Sequence, residues 1–405
     1  MQLTRLSLTN IRSIARLDIN IPAGTILIVG KNAQGKTSIL EAIYYLATLS
    51  SFHASKDSQL INLLAGKEDL SVGRIIGEFT KQGRSHRLEV RIIQERTRSG
   101  SMRGRKEVLL DGVKKRSREI IGQFNAVLFL PQMMQIIEGS PDERRRYLDL
   151  AISQVVPNAA TSLNEYRKLV TQRNALLKQL NESGGSQDQL DFWDERLAKR
   201  GAQIIADRIM AVQEMDLIAG RIHHQITNGA EVLRLDYLPS FDPLPAPKNQ
   251  PTLLYAPPDR SQFSTEQLEK AFLEALKANR RMEIARGMTT IGPHRDDLAF
   301  LSNGIDLGVY GSRGQVRTAL MTLKLAEMTW MKEKTGNWPV LLLDEVLAEL
   351  DEDRRVDLLA RVSQSNQSLL TTTDMQLFDL EAIQDWQQWH IHQGNLQAVK
   401  SSAAD

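Results

Sequence analysis

The sequence contains no cysteine. Disulfide staples, thiolate catalysis and cysteine-ligated metals are therefore excluded. It also lacks any run of about 18 apolar residues, which excludes a membrane-spanning helix. Met1 to Arg12 has no apolar core of the kind a secretory leader needs, so a soluble, cytoplasmic protein is expected. Internal repeats and low-complexity tracts are missing too. Charge of one sign is not in excess: 51 Lys+Arg against 49 Asp+Glu leave +2. The overall balance thus points to no partner, and only its distribution can. What is present is a chain of 405 residues, 41% hydrophobic. That is enough core for two or three domains and rules out wholesale disorder.

Ile26-Leu27-Ile28-Val29 is short, apolar and rich in β-branched residues, so it reads as a buried strand. Residues 37–48 place Ile39, Leu40, Ile43 and Tyr44 at helical spacing. Between them, Gly30-Lys31-Asn32-Ala33-Gln34-Gly35-Lys36-Thr37 fits G-x-x-x-x-G-K-[ST], with the strand and helix that this pattern requires on either side. Its glycines let backbone N–H groups approach a phosphate, and the helix N-terminus adds partial positive charge. Lys36 is placed to bridge β- and γ-phosphates, and the Thr37 hydroxyl to ligate Mg²⁺. ATP and Mg²⁺ are the cofactors this implies.

A second apolar strand, 340–343, ends in Asp344-Glu345. Apolar character on both faces suits the centre of a parallel sheet, whose carboxyl edge is where ligands bind. Asp344 suits a metal role there. Strand alternation turns Glu345 the other way, toward a water it could polarise. The two half-sites lie about 300 residues apart, a separation that suggests a large insertion.

Helical patterns over 163–180 and 190–212 flank a turn-like stretch and read as a helical hairpin. Prolines crowd residues 239–258, a helix is expected at 264–287, and 314–334, 340–343, 352–363 and 368–372 restore helix–strand alternation. The expected fold is α/β: a P-loop ATPase head with an inserted helical arm lobe. Its parts are expected at 1–135, 136–287 and 288–405. Between Lys81 and Arg118, 13 Lys/Arg face four acids, a local excess of nine. Arg84, Arg87, Arg91, Arg96, Arg98, Arg103, Arg105, Lys106, Lys114, Lys115 and Arg116 are candidates for phosphate-backbone contact. With almost no aromatics among them, duplex backbone is favoured over stacked single strand. A solvated sheet edge guarded by Lys and Arg is the plainer reading. The seven histidines form no metal-ligand constellation.

Further segments carry a resemblance. Asn32-Ala33-Gln34-Gly35-Lys36-Thr37, Ile291-Gly292-Pro293-His294-Arg295-Asp296-Asp297, Ser312-Arg313-Gly314-Gln315 with Arg317, and Ala348-Glu349-Leu350-Asp351 together resemble the RecF family of bacterial recombination mediators and replication-repair ATPases. Asn10-Ile11-Arg12 and Pro141 to Asp149 fit the same family. The resemblance implies an ABC/SMC-type ATPase that dimerises on ATP. Nucleotide would lie between the phosphate loop of one copy and Ser312, Arg313, Gly314 and Gln315 of the other. It further implies Arg12 near the nucleotide, Asp351 near the dimer seam, His294 near the ATPase site or lid, and slow hydrolysis with Glu345 as base. Implied partners are duplex DNA, single-strand/duplex junctions, and RecO and RecR equivalents, with no membrane. Departures are Gln132-Met133 where the family has two acids after Pro131, leaving Gln132 as the metal-loop candidate, and His53 where the family often has Arg. A non-hydrolysing ATP-switched DNA-binding module, or another SMC/ABC-type subunit, is the alternative.

Overall fold

A computed structural model describes residues 1–62, 69–97, 101–244, 257–363, 365–378 and 383–399. The chain divides into two compact units, Met1–Met133 with Glu327–Asp405, and Met134–Ala326.

The apolar runs of the first unit pair edge to edge through their backbone N–H and C=O groups, which leaves their side chains to be buried by what packs on the sheet's faces. Gly24–Val29, Gln367–Thr372, Val340–Asp344 and Ala126–Phe129 lie side by side in parallel. Gln387–His392 extends the sheet in parallel beyond Gly24–Val29, and Asn395–Val399 closes it as an antiparallel edge. Register places Thr371 beside both Ile28 and Asp344, so the carboxyl ends share one edge. A second six-stranded sheet is antiparallel, ordered Ile14–Asn20, Gln2–Ile11, Leu70–Lys81, Arg84–Arg96, Met102–Leu110, Val113–Lys115. The helix Lys36–Thr48 packs against strands of both sheets. It is buried almost all round, its apolar residues and also Lys36, Glu41 and Thr48. Buried Gln367 bonds Leu3 through N–H and C=O, at 2.7 and 2.8 Å, and so ties one sheet to the other.

The second unit holds helices Pro141–Val155, Ala159–Ser183, Asp191–Ile226 and Thr265–Arg286. With them is a three-stranded sheet ordered Ile305–Asp306, Asp297–Ser302, Leu233–Leu238. The expected helical hairpin is the pair Ala159–Ser183 and Asp191–Ile226. One boundary moves. Residues 288–326, expected with the C-terminal lobe, belong here, because Asp297–Ser302 pairs with Leu233–Leu238 across the expected break at 287. Most of the proline-rich stretch, 245–256, lies outside the described residues.

Candidate functional site

The phosphate loop leaves the sheet at Gly30 and enters the helix at Lys36. Gly35 sits at φ 108, a backbone region that L side chains resist and glycine does not. Lys36, 5% exposed, turns back into the loop. Its Nζ donates to the carbonyls of Gly30 at 2.6 Å and Lys31 at 3.1 Å, and pairs with Glu345 at 3.0 Å. The Thr37 hydroxyl donates to Asp344 at 2.7 Å across 307 residues of sequence. Thr371 donates to the other Asp344 oxygen at 2.6 Å, and the Glu345 N–H donates to Thr371 at 3.1 Å. The sequence marks a strand at Thr371 but carries no register that sets it beside Asp344.

Strand alternation misplaced Glu345. The residue adopts φ 54, ψ 21, so the extended alternation ends one residue earlier. Both carboxylates therefore meet the loop, Asp344 at Thr37 and Glu345 at Lys36.

A cavity of about 860 Å³ opens over the loop, lined by Asn32 to Ser38 and Glu345 and also by Arg12, Glu41, His53, Gln59 and Gln94. Arg12 is fixed there by two bonds to buried Glu41, at 2.7 and 2.8 Å. Ser51 donates to the same carboxylate. Arg12 and His53 thus reach the cavity; exposed Gln132 does not line it. The Thr37 hydroxyl and the Asp344 carboxylate are hard oxygen donors of the kind Mg²⁺ takes. Among the described residues no group of three or more His, Asp or Glu could hold a metal. A cation at Thr37 and Asp344 would need phosphate and water oxygens to complete its shell.

A family model described as the RecF/RecN/SMC N terminal domain matches residues 2–384. The DNA replication and repair protein RecF of Roseiflexus castenholzii is 38% identical over 98% of this chain and 99% of its own. The chain belongs to the RecF family. The RecF of Chloroflexus aggregans is 37% identical over the same shares. Two solved structures of the recombination mediator protein RecF in the RecFOR pathway, described as RecF-ATPrS and RecF-ATP, superpose with TM-scores of 0.82 and 0.80. They are 30% and 29% identical, over 98% of this chain and 98% and 99% of theirs. An Smc head shares the fold at TM-score 0.51 and 16% identity, over 98% of this chain and 97% of its own.

The remaining RecF-like segments fall into two groups. Ser312, Arg313 and Gly314 are exposed at the start of the helix Arg313–Thr335. Ser312 and Gln315 exchange backbone-to-side-chain bonds of 3.1 and 3.2 Å, a reciprocal cap. Asp351 caps the helix Glu352–Val362 and pairs with Arg354. The 291–297 segment instead braces the second unit. Asp297 takes a fork of two bonds from Arg144, at 2.6 and 2.8 Å. Buried Asp296 receives the Tyr237 hydroxyl and both groups of Ser240. Arg208 spans Asp149 and the Pro293 carbonyl at 2.7 and 2.6 Å. His294 Nε2 faces the Thr289 carbonyl at 3.2 Å, which only accepts, so Nδ1 accepts from Tyr166 at 2.9 Å. Burial lowers the His294 pKa to about 4, keeping the ring neutral.

The basic stretch is split by strand alternation. Register puts Arg87, Arg91, Arg103, Arg105 and Lys114 on one face of the antiparallel sheet, and Arg84, Lys106 and Lys115 on the other. On the first face, acids interleave. Glu89 takes Arg74 and Arg91 at 2.8 and 2.6 Å, and Glu107 takes Arg105 and Lys114 at 2.8 and 2.9 Å. Burial would raise the Glu89 pKa, but the two arginines outweigh it and leave it lowered. Lys106 departs from the expected outward role. It points to Tyr45 and the Leu49 carbonyl at 3.2 and 3.0 Å, and pairs with Asp57 at 3.0 Å. Arg98 lies outside the described residues.

Proposed function

We propose that the protein is a DNA replication and repair ATPase that uses ATP to dimerise on duplex DNA near single-strand gaps, supports recombinational repair and recombinase loading with RecO and RecR equivalents, and lets go on hydrolysis. The observation that carries this is the meeting of Thr37 with Asp344 and of Lys36 with Glu345, two half-sites that only folding brings together. The RecF structures described with ATP support the same reading.

In this reading the triphosphate takes over Lys36. Its oxygens replace the Gly30 and Lys31 carbonyls as acceptors, and the loop's backbone N–H groups close on them. Losing Lys36 frees the Glu345 carboxylate to take a proton from an attacking water. Thr37 and Asp344 would hold Mg²⁺, which supplies charge neutralisation on the phosphate oxygens. Ser312 and Gly314 of a second copy meet the γ-phosphate from their helix N-terminus, and Arg12 stands on the nucleotide's other side. Arg87, Arg91, Arg103, Arg105 and Lys114 offer the face for duplex backbone.

Sedimentation with ATP and Mg²⁺, with and without duplex DNA, tests the clamp: a nucleotide-dependent dimer that retains DNA is expected. Glu345→Gln should cut hydrolysis about 10²–10⁴-fold and trap that dimer. A monomer in every condition defeats the clamp, and unchanged hydrolysis in Glu345→Gln defeats the base.

A further inference from the structure

The Ser312–Gln315 segment does not hold its shape alone. Gln315 Oε1 accepts from the Ser312 N–H, so the amide must be turned one way round. Its other end, Nε2, donates to Glu231 at 3.2 Å. A carboxylate can only accept. Glu231 therefore selects the amide orientation that leaves Oε1 for the cap; the flipped amide would set oxygen against oxygen and release the Ser312 N–H.

Glu231 is itself held from two further elements. Its second oxygen receives Ser302 Oγ at 3.0 Å, from the end of Asp297–Ser302, and lies 3.3 Å from His223 Nε2. His223, fully buried in the last turn of Asp191–Ile226, has its other nitrogen 3.0 Å from Thr322 Oγ1. Thr322 is seven residues beyond Gln315 on the same helix, two turns along and on the same face. Gln315, Glu231, His223 and Thr322 thus close a ring that staples the first three turns of this helix to the rest of their own unit.

We infer that Glu231 is a positioning residue for the Ser312–Gln315 segment, holding it in the shape that meets ATP bound by a second copy. This rests on the in-trans reading of Ser312 given above. Such contacts demand fixed geometry, and a supporting shell is what fixes it.

The test uses the full chain with ATPγS and Mg²⁺. Dimer formation is followed by sedimentation. Nucleotide binding by the monomer is followed with a fluorescent ATP analogue at dilute protein. Glu231→Ala should weaken the ATPγS-dependent dimer about tenfold, while monomer affinity changes by less than about twofold. Gln315→Ala severs the same link from the exposed side, so it reads the link even if Glu231→Ala folds poorly; a similar loss is expected. The double variant should be no worse than the worse single. Ser312→Arg, the control, should abolish the dimer. If Ser312→Arg blocks dimerisation while Glu231→Ala and Gln315→Ala do not, or if their losses add in full, the positioning role is overturned and the in-trans reading survives. If Ser312→Arg dimerises like the parent, both fall.

Discussion

Arg173, in the helical unit, is fully buried and is held by Asp194 at 2.7 Å, Glu283 at 2.6 Å and Thr289 at 2.9 Å. Lys36, in the phosphate loop, is almost as buried and is held by two carbonyls and Glu345 at similar distances. The cations look alike; their counter-ions do not. The Asp194 and Glu283 side chains are 0% exposed, so no ligand can replace them. The Glu345 side chain is 27% exposed and lines a cavity, so a phosphate can. A caged charge is a brace, while a charge whose partner faces open space can change partners. The same distinction separates Asp296, buried among its partners in 291–297, from the 30–37 loop, which opens to a cavity.

Substitutions can break the comparison from either side. Arg173→Ala should cost about 3–5 kcal/mol, because it strands a buried carboxylate, and leave nucleotide affinity of the folded protein intact; urea unfolding and an ATP titration read the two. Lys36→Ala should do the reverse. Nucleotide binding should fall about 10³-fold, while the unfolding midpoint barely moves, since Glu345 can hydrate. A shared loss of both properties in either variant would erase the contrast.

His294 gives a smaller effect within the caged region. Its folded pKa of about 4 lies below the ordinary 6.5, so protons favour the unfolded chain. Stability is complete above pH 6.5 and drains as pH falls toward 4, by roughly 3 kcal/mol in all. His294→Gln should flatten that slope in pH-dependent denaturation.

The smallest effect sharpens the two faces of the antiparallel sheet. Arg103→Ala should lower the salt dependence of duplex binding by about one unit of log–log slope, and Lys106→Ala should leave it unchanged.

Much of the site was legible in the sequence, because the phosphate loop and the strand before Asp344 are local patterns. So were most helices and the apolar strands 26–29, 340–343 and 368–372. What was not legible depends on pairing. Thr371 joins the site only through its register beside Asp344, and Glu345 turns inward only because one residue leaves the extended conformation. The split of the basic stretch had a signal: Lys106 sits two residues from buried Val108, in phase with it along the strand. The 291–297 segment stands out in the sequence only through its family resemblance, and the partners that make it a brace, Arg144 and Arg208, lie far away in sequence.

The hairpin of Gln387–His392 and Asn395–Val399 sets a schedule for the phosphate loop. Gln393 and Gly394 donate their N–H groups to Gln34 at 2.6 and 3.0 Å, and any Cβ at Gly30 would lie 2.7 Å from the Ile391 carbonyl. The loop is thus buttressed by a turn made some 359 residues later. At about 5–20 residues per second of synthesis, the motif waits roughly 20–70 s on the ribosome for its support. A nascent or C-terminally clipped chain would display every residue of the phosphate motif with the loop unbraced. A braced phosphate loop would therefore follow only after residues 391–394 have been made.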